Sequence, residues 1–190
     1  MKELPFNEQD ARLRSSYIDD ISSIQPLDSL EASDIQKTLE WLRSAKYVHK
    51  PQNMDYHLGV LFMLISPDRN STYLINHKKA QLWIPPGGHV DQGLTLQEAV
   101  ELEMLEELHE KPKFISRKPF FLTQTLTSGL NSGHVDVTSW FLVNGDPKVN
   151  YSIQEKEAEG GAWFKLVSLE EELKQSYLSR AVQKILSGNY

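Results

Sequence analysis

The spacing of apolar and polar positions changes rhythm along the chain. Over residues 8–24 apolar side chains fall at Ala11, Leu13, Tyr17, Ile18, Ile21 and Ile24, a helical spacing that Pro26 closes. A second helix is predicted from Ser33 to near Ser44, with Ile35, Leu39 and Leu42 on one side. From Tyr56 the pattern becomes that of strands. Tyr56–Ile65 is apolar enough throughout to be a central strand, SPDRNS at 66–71 is a turn, and Thr72–His77 is the hairpin partner. Leu82–Ile84 reads as a short strand ending at Pro85. Phe120–Thr127 and Val135–Val143 read as two more, joined by SGLNSG. Gly161–Leu166 is the last strand, and residues 168–187 are helical in two pieces. This order predicts an α/β fold, a mixed sheet with helices on its faces, behind an N-terminal helical arm of about 45 residues.

Residues 85–110, PPGGHVDQGLTLQEAVELEMLEELHE, hold the one helix with unusual chemistry. Thr95 followed by Glu98 fits a capping box, so the helix begins near Leu96, and it stops before Pro112. Glu103, Glu106, Glu107 and Glu110 fall within an arc of roughly 100° on such a helix, where like charges repel. Val100, Leu102, Met104, Leu105 and Leu108 take up the rest of the circumference, which predicts a helix buried on most sides with an acidic stripe left open. A solvated acidic face is the ordinary explanation of such a stripe. Two features weigh against it: a mostly apolar helix has little face to spare for solvent, and the glycine turn before it can bring backbone close to a ligand. Clustered carboxylates beside that turn are hard oxygen ligands suited to Mg²⁺ or Mn²⁺.

Composition narrows the classes. A chain of 190 residues suggests one domain with an appendage, and 39% hydrophobic residues suffice for an ordinary core. The formal charge is −6 and no Lys/Arg block stands out, which argues against duplex nucleic acid or an anionic membrane as partner. Without cysteine there is no disulfide, thiolate metal site or cysteine nucleophile, and the chain fits a reducing compartment. The opening MKELPFNEQDARLR lacks the apolar core of a signal peptide, and the longest apolar run, 59–65, is too short to span a bilayer. A soluble, cytoplasmic protein is expected.

Gly88 followed by Glu103, Met104, Glu106 and Glu107 resembles the signature of the Nudix hydrolases at its leading glycine and central positions. The flanks are also similar to that family: a hairpin before the box, the Trp83–Pro85 entry, and an Ala-Trp-Phe segment before a terminal helix. The resemblance covers about residues 55–187. It implies an α/β/α sandwich of Nudix type over residues 49–190, with residues 1–48 as an N-terminal helical extension. Four positions depart from the pattern: Leu94 and Leu102 stand where the family has a glutamate and an arginine, and His109 and Glu110 where it has a glycine and an apolar residue. The two leucines read as one coordinated change, an apolar contact in place of an ion pair.

The resemblance implies a divalent-metal-dependent hydrolase that cleaves a diphosphate bond in a nucleoside diphosphate linked to another moiety. It implies Glu103, Glu106 and Glu107 as ligands of Mg²⁺ or Mn²⁺, with the carbonyl of Gly87, and Glu157 from the loop before the last strand. Glu103 or Glu107 is the candidate general base. Lys78, Lys79, Gly88 and His89 are the candidate substrate-binding positions. Trp83, Phe121 and Trp140 are weighed as stacking surfaces for a base against the commoner core role of strand aromatics. Asp136 either lines the pocket or faces water. The rival readings are a Nudix fold that senses a nucleotide without cleaving it, motivated by Leu94 and Leu102, and an isopentenyl diphosphate isomerase, which would need a cysteine. A nucleotide-type small molecule and a second copy of the chain, clamped by the N-terminal arm, are the expected partners.

Overall fold

The computed structural model describes residues 8–127, 133–172, 176–188 and 190. Most of the expected SGLNSG connection lies outside these residues. The arm is two helices, α1 (Glu8–Ser22) and α2 (Ser29–Ser44). The second starts four residues before the expected Ser33, because Asp28 is its cap: the Asp28 side chain accepts the Glu31 amide at 2.8 Å.

The strands β1 (Tyr56–Ile65), β2 (Ser71–His77) and β3 (Leu82–Ile84) lie where the alternation puts them. The glycine turn is instead a short strand, β4 (Gly87–His89). It is followed by α3 (Leu96–Leu108), β5 (Phe121–Leu126), β6 (Val135–Asn144), β7 (Ala158–Lys165), α4 (Leu166–Glu172) and α5 (Ser176–Ser187). Strand β7 begins three residues before the expected Gly161, since Ala158 pairs with His77 beyond a bulge in β7.

One seven-stranded mixed sheet results, with the order β3-β2-β1-β6-β5; β4 pairs with β1, and β7 with β2. The central pair β1–β6 is parallel and the other pairings are antiparallel. Alternate side chains of β1 enter opposite cores. Leu58, Val60, Phe62 and Leu64 pack with α1, α2 and α3, whereas Met63 and Ile65 pack with α4 and α5. The arm therefore shares the core of the sheet through Tyr17, Ile21, Ile35 and Leu42. Helix α2 also covers β5, which ends the strand order: the Glu31 carboxylate accepts the outward Leu122 amide at 3.3 Å, and the Gln124 amide donates to Thr38 and to the Asp34 carbonyl. Among the described residues no helix is long and apolar enough to cross a membrane.

Candidate active site

The strand β4 and the helix α3 face each other, and two glycines open the strand. Gly87 has φ 141°, and a Cβ there would lie 2.2 Å from the Val60 carbonyl oxygen. At Gly88 a Cβ would lie 2.2 Å from Oε1 of Glu103, so the absent side chain makes the space that this carboxylate fills. Strand β4 is held on β1 by its register with Gly59, Val60 and Leu61 and by flanking bonds, Phe62 amide to Pro86 carbonyl and Val90 amide to Leu58 carbonyl, each 3.0 Å.

The helix has the expected capping box, Thr95 with Glu98, and its C-terminal His109 is left-handed at φ 56°. Its acidic stripe is open only in part. Glu107 is 3% exposed, while Leu105 is 50% exposed. The glycine strand, not water, lies against this side: the Gly87 amide donates to Oε2 of Glu107 at 2.7 Å. The other oxygen of Glu107 is buried and has no hydrogen-bond partner. Glu103 is half-buried, Glu106 is exposed, and Glu110 falls beyond the helix end and leaves the arc.

Crowding and burial show in the proton affinities. Burial first, then the charges of Glu106, Glu157 and Asp91, push the Glu103 carboxyl up to about 7. Burial, the Glu103 charge and smaller contributions from Glu157 and Glu106 push Glu107 up to about 8, against the Gly87 amide bond. Glu157 acts on both carboxyls through its charge, although it is far away in sequence. Its turn, 155–157, is tied to α3 by the Gln154 amide on the Glu107 carbonyl at 3.1 Å, and to the end of β2 by the Lys78 amide on the Glu157 carbonyl at 2.8 Å. The charges of Glu106 and Glu157 thus act on the Glu103 and Glu107 carboxyls, which lie against the Gly87–Gly88 backbone. Such an oxygen-rich group, holding one orphaned buried oxygen, is what a hard divalent cation binds.

The other expected positions are distributed around this group. Lys78 and Lys79 are exposed at the end of β2, and the Lys78 ammonium donates to the Glu155 carbonyl. His89 follows Gly88 on β4, so its ring points to the opposite side from Glu103 and lies 4.9 Å from the His57 ring. Asp136 sits on that same side, among histidines rather than facing water alone. Phe121 and Trp140 are fully buried in the core, and Trp83 packs edge-on against Phe164. Leu94 is half-buried, and its carbonyl accepts the Tyr17 hydroxyl of α1, whose oxygen is also 3.1 Å from His49 Nε2. No reading of the family-like region alone points to Tyr17, because it belongs to the arm.

A family model, the NUDIX domain, matches residues 55–183. No curated protein matches the chain. Among solved structures, the chain is similar to the E. coli dihydroneopterin triphosphate pyrophosphohydrolase, at 14% identity and TM-score 0.56 over 75% of this chain and 99% of that one. The MutT protein from Methanosarcina mazei aligns at 18% identity and TM-score 0.55, over 71% and 96% of the two chains. The NUDIX domain of Shewanella oneidensis NrtR, complexed with ADP ribose, aligns at 18% identity and TM-score 0.54, over 77% and 97%. At such identities the likeness establishes the fold.

Proposed function

The chain belongs to the NUDIX domain family, and from that premise we propose that it is a Mg²⁺- or Mn²⁺-dependent hydrolase of a diphosphate bond in a nucleoside diphosphate linked to another moiety. The observation that supports this best is the buried Glu107, one oxygen fixed by the Gly87 amide and the other without a partner beside Glu103. A carboxylate pair so placed is costly without a cation and well suited to one. Two of the three glutamates Glu103, Glu106 and Glu107 would hold the ion, with Glu157 and the Gly87 carbonyl as further ligands. When bound, it supplies neutralisation of phosphate oxygens and a more acidic water.

The protein's own residues divide the remaining work. Glu107 is oriented by its bond from Gly87, as a ligand needs to be. Glu103 makes no hydrogen bond to protein among the described residues and rests in the space over Gly88, so of the three glutamates it is the one that would take the proton of the attacking water instead of binding the ion. Lys78 and Lys79, exposed just after β2, would meet an anionic substrate. Gly88 would line its approach, whereas the His89 ring, expected there, points to the other side of β4. The substrate is a nucleotide-type small molecule, the protein acts in the cytoplasm, and residues 1–48 extend a catalytic domain formed by 49–190.

The test is a panel of ADP-ribose, other nucleotide sugars, dinucleotides, nucleoside triphosphates and capped RNA, each incubated with the protein and Mg²⁺ or Mn²⁺, with products identified. ADP-ribose comes first because the similarly folded NrtR domain was found with it. Cleavage at a diphosphate bond that stops in chelator is expected. Binding without cleavage of any panel member would instead favour a nucleotide sensor, the reading that Leu94 and Leu102 motivate.

A further inference from the structure

We propose that His57, His89, His134 and Asp136 form a second cation site, for a divalent transition metal of the zinc type. It lies on the opposite side of β4 from the glutamates.

The sheet brings these residues together. His57 on β1 is opposite Asp136 on β6 in the parallel register, and His89 on β4 is opposite Gly59, two residues along β1. His134 is two residues before Asp136 and so points to the same face. One ligand atom from each of the four lies within 4.8 Å of the others. From Oδ1 of Asp136, the Nε2 atoms of His57, His134 and His89 are 2.7, 3.4 and 3.8 Å away. A tetrahedral ion with arms of about 2.0–2.1 Å separates its ligand atoms by roughly 3.3–3.4 Å, a value these distances bracket.

The polar atoms are also unsatisfied. His57 is fully buried, and neither ring nitrogen has a hydrogen-bond partner. Its Nε2 lies 2.7 Å from Oδ1 of Asp136, and that oxygen too is buried. Buried orphans cost free energy unless something satisfies them, and a cation between the two atoms would do so. The third ligand is already oriented: Nδ1 of His134 lies 3.1 Å from the Thr127 hydroxyl, leaving Nε2 turned to Asp136. Three imidazoles with one carboxylate suit Zn²⁺ or Co²⁺ rather than Mg²⁺, whereas the glutamate group is all oxygen. The two sites therefore select different ions. An entry path exists, since the side chains of His89 and Asp136 are 45% and 27% exposed. One contact competes: the Lys50 ammonium is 2.9 Å from Nε2 of His89 and must swing away before that nitrogen can bind.

The test uses the full chain, stripped of metal with chelator and titrated with Zn²⁺ by calorimetry and with Co²⁺ by visible absorbance. One equivalent of Co²⁺ should give the intense bands of tetrahedral coordination, both in the wild type and in a Glu107→Gln variant, which separates this site from the glutamates. Affinity should fall roughly 10-fold or more in Asp136→Asn and in His134→Ala, and should rise in Lys50→Met. If the first two variants do not fold, the wild-type spectrum and the Lys50→Met shift decide. No tetrahedral Co²⁺ signal in the wild type overturns the site, as does binding that Glu107→Gln abolishes, or binding indifferent to Asp136, His134 and Lys50.

Discussion

At Glu107 a single atom separates the roles of charge and shape. Glutamine keeps the size of the side chain and can still accept the Gly87 amide, but it loses the charge that would hold the proposed cation. Glu107→Gln should therefore fold normally and lose on the order of a hundredfold or more in turnover, the scale of removing one electrostatic element. Wild-type turnover would refute the assignment. The raised carboxyls make a second prediction. Glu103 and Glu107 ionise in the folded protein at about 7 and about 8, against an ordinary 4.5. Between those values the folded protein keeps protons that the unfolded chain has released, so stability falls as pH rises. In chelator the melting temperature should drop from pH 5 to pH 8.5, and saturating Mg²⁺ or Mn²⁺ should flatten the slope. A flat profile in chelator would mean that the pair is not buried as described.

At the scale of elements, the loop before α3 is fastened by a residue from another helix. The Tyr17 hydroxyl of α1 donates to the Leu94 carbonyl, just where the family's charged residue is replaced by leucine. Tyr17→Phe keeps the buried ring and removes that bond. It should lower stability by about 1 kcal/mol, the usual net value of a hydrogen bond, and reduce kcat by loosening the segment that leads to Glu103. Urea unfolding and steady-state kinetics on the same preparation check both. A loss of stability with kcat unchanged would make the arm a packing element only.

Across the whole molecule, the arm and the last helix are joined by an ion pair with no exposed atoms. The Lys184 ammonium of α5 donates to both oxygens of Glu31 at 2.7 and 2.9 Å, and neither side chain is exposed. One turn away, Arg180 makes a paired contact with Asp28 at 2.7 and 3.1 Å. Removing one partner strands a buried charge, so Glu31→Leu should cost about 3–5 kcal/mol. Adding Lys184→Met should recover part of that loss. Recovery stays incomplete because the Leu27 and Leu122 amides also lose their acceptor. Additive effects in urea unfolding would mean that the pair does not couple.

Much of this was legible along the chain, because its causes are local. The bounds of β1 follow from a run of apolar residues, and the start of α3 from Thr95 and Glu98. The glutamate spacing marks the chemistry, since residues three and four apart share a helix face whatever surrounds them. Other features had no local signal. Gly87–His89 is a strand only because β1 offers it a ladder. Glu103 and Glu107 turn inward because a glycine strand without side chains lies against them. His57, His89, His134 and Asp136 meet through strand register, which couples residues far apart in sequence and is fixed by the packing of the whole sheet. Sequence by itself set the period of each element and the residues its faces carry; only the tertiary structure decided which faces meet, because that depends on the neighbours each face finds.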